Sequence, residues 1–171
     1  MSWRQRRREL YRRRPKFAGP PVVLLHAGGM DGRMWHPVVE RLEDRYWLIV
    51  PDMRGHGTTP MPAAPYSDVE DILGVLDDLE IEQAAFAGNS FGGRVALQLA
   101  TAAPERYRGV DLTGLDVADF AKIADRIAAE VPGAQRAEVA DSGHLIPLER
   151  PDTTVELLEG FLSGGRIEPD G

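Results

Sequence analysis

Ser90 sits in Gly88-Asn89-Ser90-Phe91-Gly92, a G-x-S-x-G pattern with Ala87 before it and Gly93 after it. A serine hydroxyl attacks a carbonyl only when a base takes its proton. Small flanking residues let a chain turn tightly enough to lift such a serine above a sheet. Of the four histidines (His26, His36, His56 and His144), only His144 follows Ser90. It ends the segment Asp141-Ser142-Gly143-His144 and is the candidate general base. A third group must orient the imidazole and stabilise its charged form. Asp116, in Thr113-Gly114-Leu115-Asp116, is the best-placed carboxylate between Ser90 and His144, with Asp119 nearby. Asp111 falls inside a predicted strand, and Asp141 is too close to His144 in sequence. The Phe91 N–H, at the start of a predicted helix, is a candidate donor to a developing oxyanion.

Each residue also has a structural reading. Ser90 would then be inert in a glycine-rich turn, His144 a surface loop residue and Asp116 a helix N-cap. His26 and His56 are expected to tie loops together. His36 is expected to be exposed on a helix.

A serine nucleophile needs a strand before it and a helix after it, and the pattern supplies both. Short apolar runs at Val22–Leu25, Tyr46–Val50, Ala84–Ala87 and Tyr107–Leu112 predict buried parallel strands, with a weak fifth at Ala137–Ala140. Helical spacing of apolar residues marks the segments Met34–Leu42, Val69–Leu79, Arg94–Ala103, Phe120–Val131 and Val155–Leu162. Asp52–Pro65 is a long loop rich in glycine and proline. This alternation predicts an α/β fold: three layers, with helices on both faces of a mostly parallel sheet. Ligands bind such sheets at the carboxyl ends of the strands, where His26, Asp52, Gly88, Gly114 and Asp141 begin loops.

Composition narrows the function classes. The chain has 171 residues and no cysteine, which excludes a disulfide framework, a zinc ribbon and a thiol nucleophile. The first 16 residues hold eight basic groups against one acidic one, a net +7. The other 155 hold 12 basic and 26 acidic groups, a net −14. An acidic body argues against nucleic acid as the main partner. Residues 1–19 read as a basic arm, 20–165 as one domain and 166–171 as a tail. The arm lacks the apolar stretch of a secretory signal, and no run is long enough to span a membrane. A cytoplasmic protein is expected.

Three segments together resemble the α/β-hydrolase superfamily, nearest its small esterase and haloperoxidase-like branch. They are His26-Ala27-Gly28-Gly29-Met30, Pro51-Asp52-Met53-Arg54-Gly55-His56-Gly57 and Gly88-Asn89-Ser90-Phe91-Gly92-Gly93. The resemblance runs from about residue 20 to 162. It implies a second oxyanion N–H from the residue after a His-Gly dipeptide. That residue here is Gly28, after His26-Ala27. It implies Asp116 and His144 as acid and base. Only 25 residues separate Ser90 from Asp116, so the chain resembles a trimmed core without a lid and with one central strand fewer.

The implied activity is hydrolysis of small carboxylic esters through an acyl-enzyme on Ser90, with no metal or organic cofactor. The alternative is a hydrolase-like binding or interaction protein, or a truncated gene product, of weak or no activity. Perhydrolysis or C–C hydrolysis on the same triad is a third option, because fold and triad do not choose among these. Apolar surface left by the missing elements would drive association, so a homodimer is among the expected assemblies.

Overall fold

The computed structural model describes residues 19–113, 129, 137 and 139–164. The basic arm up to residue 18, Asp116 and Asp119 lie outside them. So do the predicted helix from Phe120 to Val131, apart from Ala129, and the tail from 166 to 171.

Four strands form the sheet: β1 (Pro21–Leu25), β2 (Trp47–Ile49), β3 (Ala84–Asn89) and β4 (Tyr107–Thr113). All pair in parallel, in the spatial order β2-β1-β3-β4. Val22 of β1 lies opposite both Leu48 of β2 and Ala85 of β3. The chain therefore leaves β1 toward one edge and later returns to its other side. This reversal makes a crevice at the carboxyl ends of β1 and β3, where a ligand can enter.

Among the described residues, five helices follow the expected alternation: α1 (His36–Leu42), α2 (Asp68–Asp78), α3 (Phe91–Ala102), α4 (Ile146–Glu149) and α5 (Pro151–Leu162). Side chains along a strand alternate between faces. Val23 and Leu25 of β1, with Phe86 of β3, therefore pack on α2 and α3 through Ile72, Leu76, Val95 and Leu99. Val22 and Leu24, with Ala85 and Ala87, pack on α1 and α5 through Val38, Leu42, Val155 and Leu158. The result is the three-layer arrangement, and no lid is evident among the described residues. The α1–α5 layer is also tied by ion pairs from Arg41 to Asp152 at 2.6 Å and from Arg45 to Glu159. None of the described helices is long and apolar enough to cross a membrane.

Three local differences from the expected elements have physical causes. The segment expected to be one helix from Met34 begins as a 3-10 turn, Gly32–Trp35, whose Arg33 N–H is capped by the Asp31 side chain. Pro37 then opens α1, because a proline ring suits the first turn of a helix. α3 starts at Phe91, three residues before Arg94, because the strand feeds the helix through a single residue. The weak fifth strand is not formed at Ala137 or Val139. There the Ser142 hydroxyl donates to the Val139 carbonyl at 2.7 Å, and Asp141 takes φ 52°, so the chain turns instead of extending.

Candidate active site

Ser90 is the one residue between β3 and α3. It holds φ 53° and ψ −109°, a region that non-glycine residues rarely occupy. Such a conformation costs about 1–3 kcal/mol and persists only where packing over-determines it. Here the packing is visible at two glycines. A Cβ on Gly88 would lie 2.4 Å from the Gly92 carbonyl carbon, and one on Gly92 would lie 2.2 Å from the Leu25 carbonyl oxygen. Only glycines let β3, the first turn of α3 and the end of β1 approach this closely. Ser90 itself is half-buried, just past the carboxyl end of β3.

Phe91 is the first residue of α3, so its N–H has no partner within the helix. The positive end of the helix dipole adds to its attraction for an anion. A Cβ on Gly28, in the exposed turn after β1, would lie 3.6 Å from the Phe91 Cβ. The two residues expected to hold an oxyanion are therefore neighbours.

The His56 ring stacks on Phe91 and lies tilted against His26. The His26 and His56 ring centroids are 4.8 Å apart, and those of His56 and Phe91 are 6.0 Å apart. His26 is fully buried. Its Nδ1–H donates to the Ala27 carbonyl at 2.8 Å, and Nε2 accepts the Met53 N–H at 3.0 Å. Burial lowers its pKa below the usual histidine value, against the opposing pull of the Ala27 carbonyl. His56 Nδ1–H donates to the Arg54 carbonyl at 2.9 Å. Both therefore hold loops together, as expected, and His36 is exposed on α1. The Arg94 guanidinium lies 4.8 Å over the Phe91 ring and 3.7 Å from Asp68. Asp68 has its pKa raised, chiefly by burial.

Asp52 links two of the loops. One oxygen accepts the Gly32 N–H at 2.9 Å, and the other accepts the Thr58 N–H at 2.9 Å. Arg54 forks onto Asp71, with Nη2 to Oδ1 at 2.7 Å, which fastens the same loop to α2. Among the described residues, no group of three His, Asp or Glu converges as a metal site would require.

His144 is half-buried in the loop before α4. Its carbonyl accepts the Asn89 side-chain N–H at 3.0 Å, so the main chain of this loop rests against the residue preceding Ser90. Arg150 donates to the Asp141 carbonyl at 2.6 Å and closes the start of the same loop. The structure thus gathers Gly28 with Phe91, and joins the His144 segment to Ser90 through Asn89. Asp116 lies outside the described residues. Sequence reasoning passes over Asn89 and Asp52 as site residues. The signal for Asn89 is an amide at the end of a strand in which all six residues are buried, where a polar side chain needs a partner.

With this geometry in place, the comparisons with known proteins agree on one fold. Residues 20–151 match the family model described as alpha/beta hydrolase fold. The chain is 43% identical over 104 residues to 2-hydroxymuconate semialdehyde hydrolase from a Pseudomonas species, covering 57% of this chain and 37% of that protein. It is 30% identical over 150 residues to 3-oxoadipate enol-lactonase 2 from Acinetobacter baylyi, covering 84% of this chain and 52% of that protein. A solved carboxylesterase from Bacillus subtilis superposes with a TM-score of 0.75 over 86% of this chain and 85% of that one. At 20% identity, that likeness is one of fold alone. The chain spans 37% and 52% of the length of the two curated relatives.

Proposed function

The chain belongs to the α/β-hydrolase fold family, and from that premise we propose that it is a serine hydrolase of small carboxylic esters. The observation that carries this reading is Ser90, held at φ 53° between β3 and α3 with Gly28 and Phe91 side by side next to it. A strained nucleophile beside paired main-chain donors suits acyl transfer. The names of the curated relatives, a semialdehyde hydrolase and an enol-lactonase, support hydrolysis as the reaction class.

In the proposed reaction, Ser90 Oγ attacks the ester carbonyl while His144 takes the hydroxyl proton. The Phe91 and Gly28 N–H groups donate to the oxyanion of the tetrahedral intermediate. His144 then passes the proton to the leaving alcohol, and an acyl-enzyme remains. Water, deprotonated by His144, attacks the acyl carbon and releases the acid, and Ser90 regains its proton. Asp116 is assigned the role of orienting His144. The fold does not select the acyl group, and the likeness to an enol-lactonase brings cyclic esters into the same substrate panel.

Covalent labelling by a fluorophosphonate tests the proposal. The wild type is expected to label, and Ser90→Ala and His144→Ala to lose labelling while keeping the wild-type circular dichroism. A folded wild type that does not label would overturn the proposal. The binding-module reading would then lead.

A further inference from the structure

Glu149 is exposed at the end of α4, five residues after His144. Its carboxylate accepts both main-chain N–H groups that flank His144. Oε2 takes the Gly143 N–H at 2.5 Å, and Oε1 takes the Leu145 N–H at 3.0 Å. The carbonyl between them is the one held by Asn89. Three main-chain groups around His144, on the peptide units before Gly143 and after His144, are therefore held by side chains, two by one carboxylate and one by Asn89 of the elbow.

This arrangement bears on the imidazole through the backbone. The Gly143 N–H belongs to the peptide before Gly143, and the Leu145 N–H to the peptide after His144. Holding both with one rigid carboxylate fixes the path of the chain through residue 144, and with it the direction of the Cα–Cβ bond that carries the ring. Hydrogen bonds to an ionised acceptor are roughly twice as strong as neutral ones, so water does not replace this clamp at equal strength. Gly143 is part of it. A Cβ there would lie 3.0 Å from Oε2 and 3.1 Å from Oε1, so a methyl group would displace the carboxylate by a few tenths of an ångström. The φ of Gly143 is not in the positive region, so the clearance, not the backbone conformation, distinguishes it.

We propose that Glu149 is a positioning residue for His144, clamping the main chain on both sides of it so that the imidazole meets Ser90. The inference rests on the reading of His144 as the general base. Glu149 touches no substrate and carries no proton in the reaction. Its effect belongs in the rate of the chemical step, because a misplacement of ~1 Å costs roughly 100-fold in rate.

The test is steady-state hydrolysis of p-nitrophenyl acetate by the full chain, alongside rates of fluorophosphonate labelling. Glu149→Ala is expected to lower kcat by about 10–100-fold with KM little changed. Glu149→Gln keeps one acceptor oxygen and should recover part of that loss. Gly143→Ala should lower kcat in the same sense with Glu149 intact. If Glu149→Ala does not fold, the Gln and Gly143→Ala variants carry the test. Unchanged kcat in Glu149→Ala would overturn the inference. So would equal losses in the Ala and Gln variants, or a change confined to KM. His144→Ala separates the two ideas. If it is inactive while Glu149→Ala is fully active, only the clamp fails. If His144→Ala stays active, or the wild type neither turns over nor labels, the reading of His144 fails and the clamp with it.

Discussion

His26 and His144 show how little a residue's type decides by itself. Both are histidines in loops, yet His26 is fully buried with its two ring nitrogens on the main chain. The order Ser90 then His144 is legible in the sequence, and the proposal of His144 as the base rests on it. Asn89 is not legible as a link, because its partner lies 55 residues away. His26 has a consequence for stability. Burial lowers its pKa below 6.5. Below about pH 6.5 the unfolded chain therefore binds a proton that the folded chain resists, and stability falls as pH drops. A proton on Nε2 would also face the Met53 N–H, donor against donor. The urea midpoint at about pH 5.5 should lie below that at about pH 7.5. One proton taken up by the unfolded chain alone gives a slope of at most about 1.4 kcal/mol per pH unit, which bounds the share of His26. His26→Gln, which has no proton to gain, should show a smaller drop. An equal drop in the variant would assign the effect to other groups.

At the scale of elements, the strand–turn–helix that carries Ser90 is readable because its glycines report on spacing as well as on turning. Short apolar runs mark β1 to β4, and acidic residues opposite an apolar stripe mark α2. The sequence places the start of α3 three residues late, because Gly92 and Gly93 look like loop. In space they lie in the helix turn that touches β1. Gly92→Ala tests that contact. Its Cβ would meet the Leu25 carbonyl oxygen at 2.2 Å, a backbone atom that cannot rotate away. The variant is expected to lose about 1–3 kcal/mol, or roughly 2–4 °C of Tm for each kcal/mol, and to label more slowly at Ser90. Gly160→Ala is the control within α5, where a Cβ would meet nothing within 4 Å. There the same substitution should raise stability by about 0.5–1 kcal/mol. If both variants lose stability alike, helix α3 does not rest on β1 as closely as the geometry states.

Across the whole molecule, charge is distributed against the compact state. Beyond residue 16 the chain carries 26 acidic and 12 basic groups, and its overall net charge is −7. Two effects of salt then compete. Screening weakens attractive pairs such as Arg33–Asp31, Arg41–Asp152 and Arg106–Asp77. It also weakens the long-range repulsion among the excess carboxylates. Exposed pairs are worth about 0–1 kcal/mol each, because two long side chains must be held still in high dielectric. Each of the pairs named has at least one exposed member, with Arg33 at 82% and Asp152 at 78%. The repulsion, by contrast, acts among all the excess acids and extends over a Debye length, ~30 Å at 0.01 M and ~10 Å at 0.1 M. The excess carboxylates outnumber the pairs, so repulsion should win. Tm is expected to rise as NaCl goes from about 0.01 M to about 0.3 M, with Na2SO4 matched for ionic strength as a check on ion-specific effects. A falling Tm in both salts would mean that the ion pairs binding α1 to α5 and the loops to α2 outweigh the net charge, and that the surface pairs hold this fold together more firmly than their exposure implies.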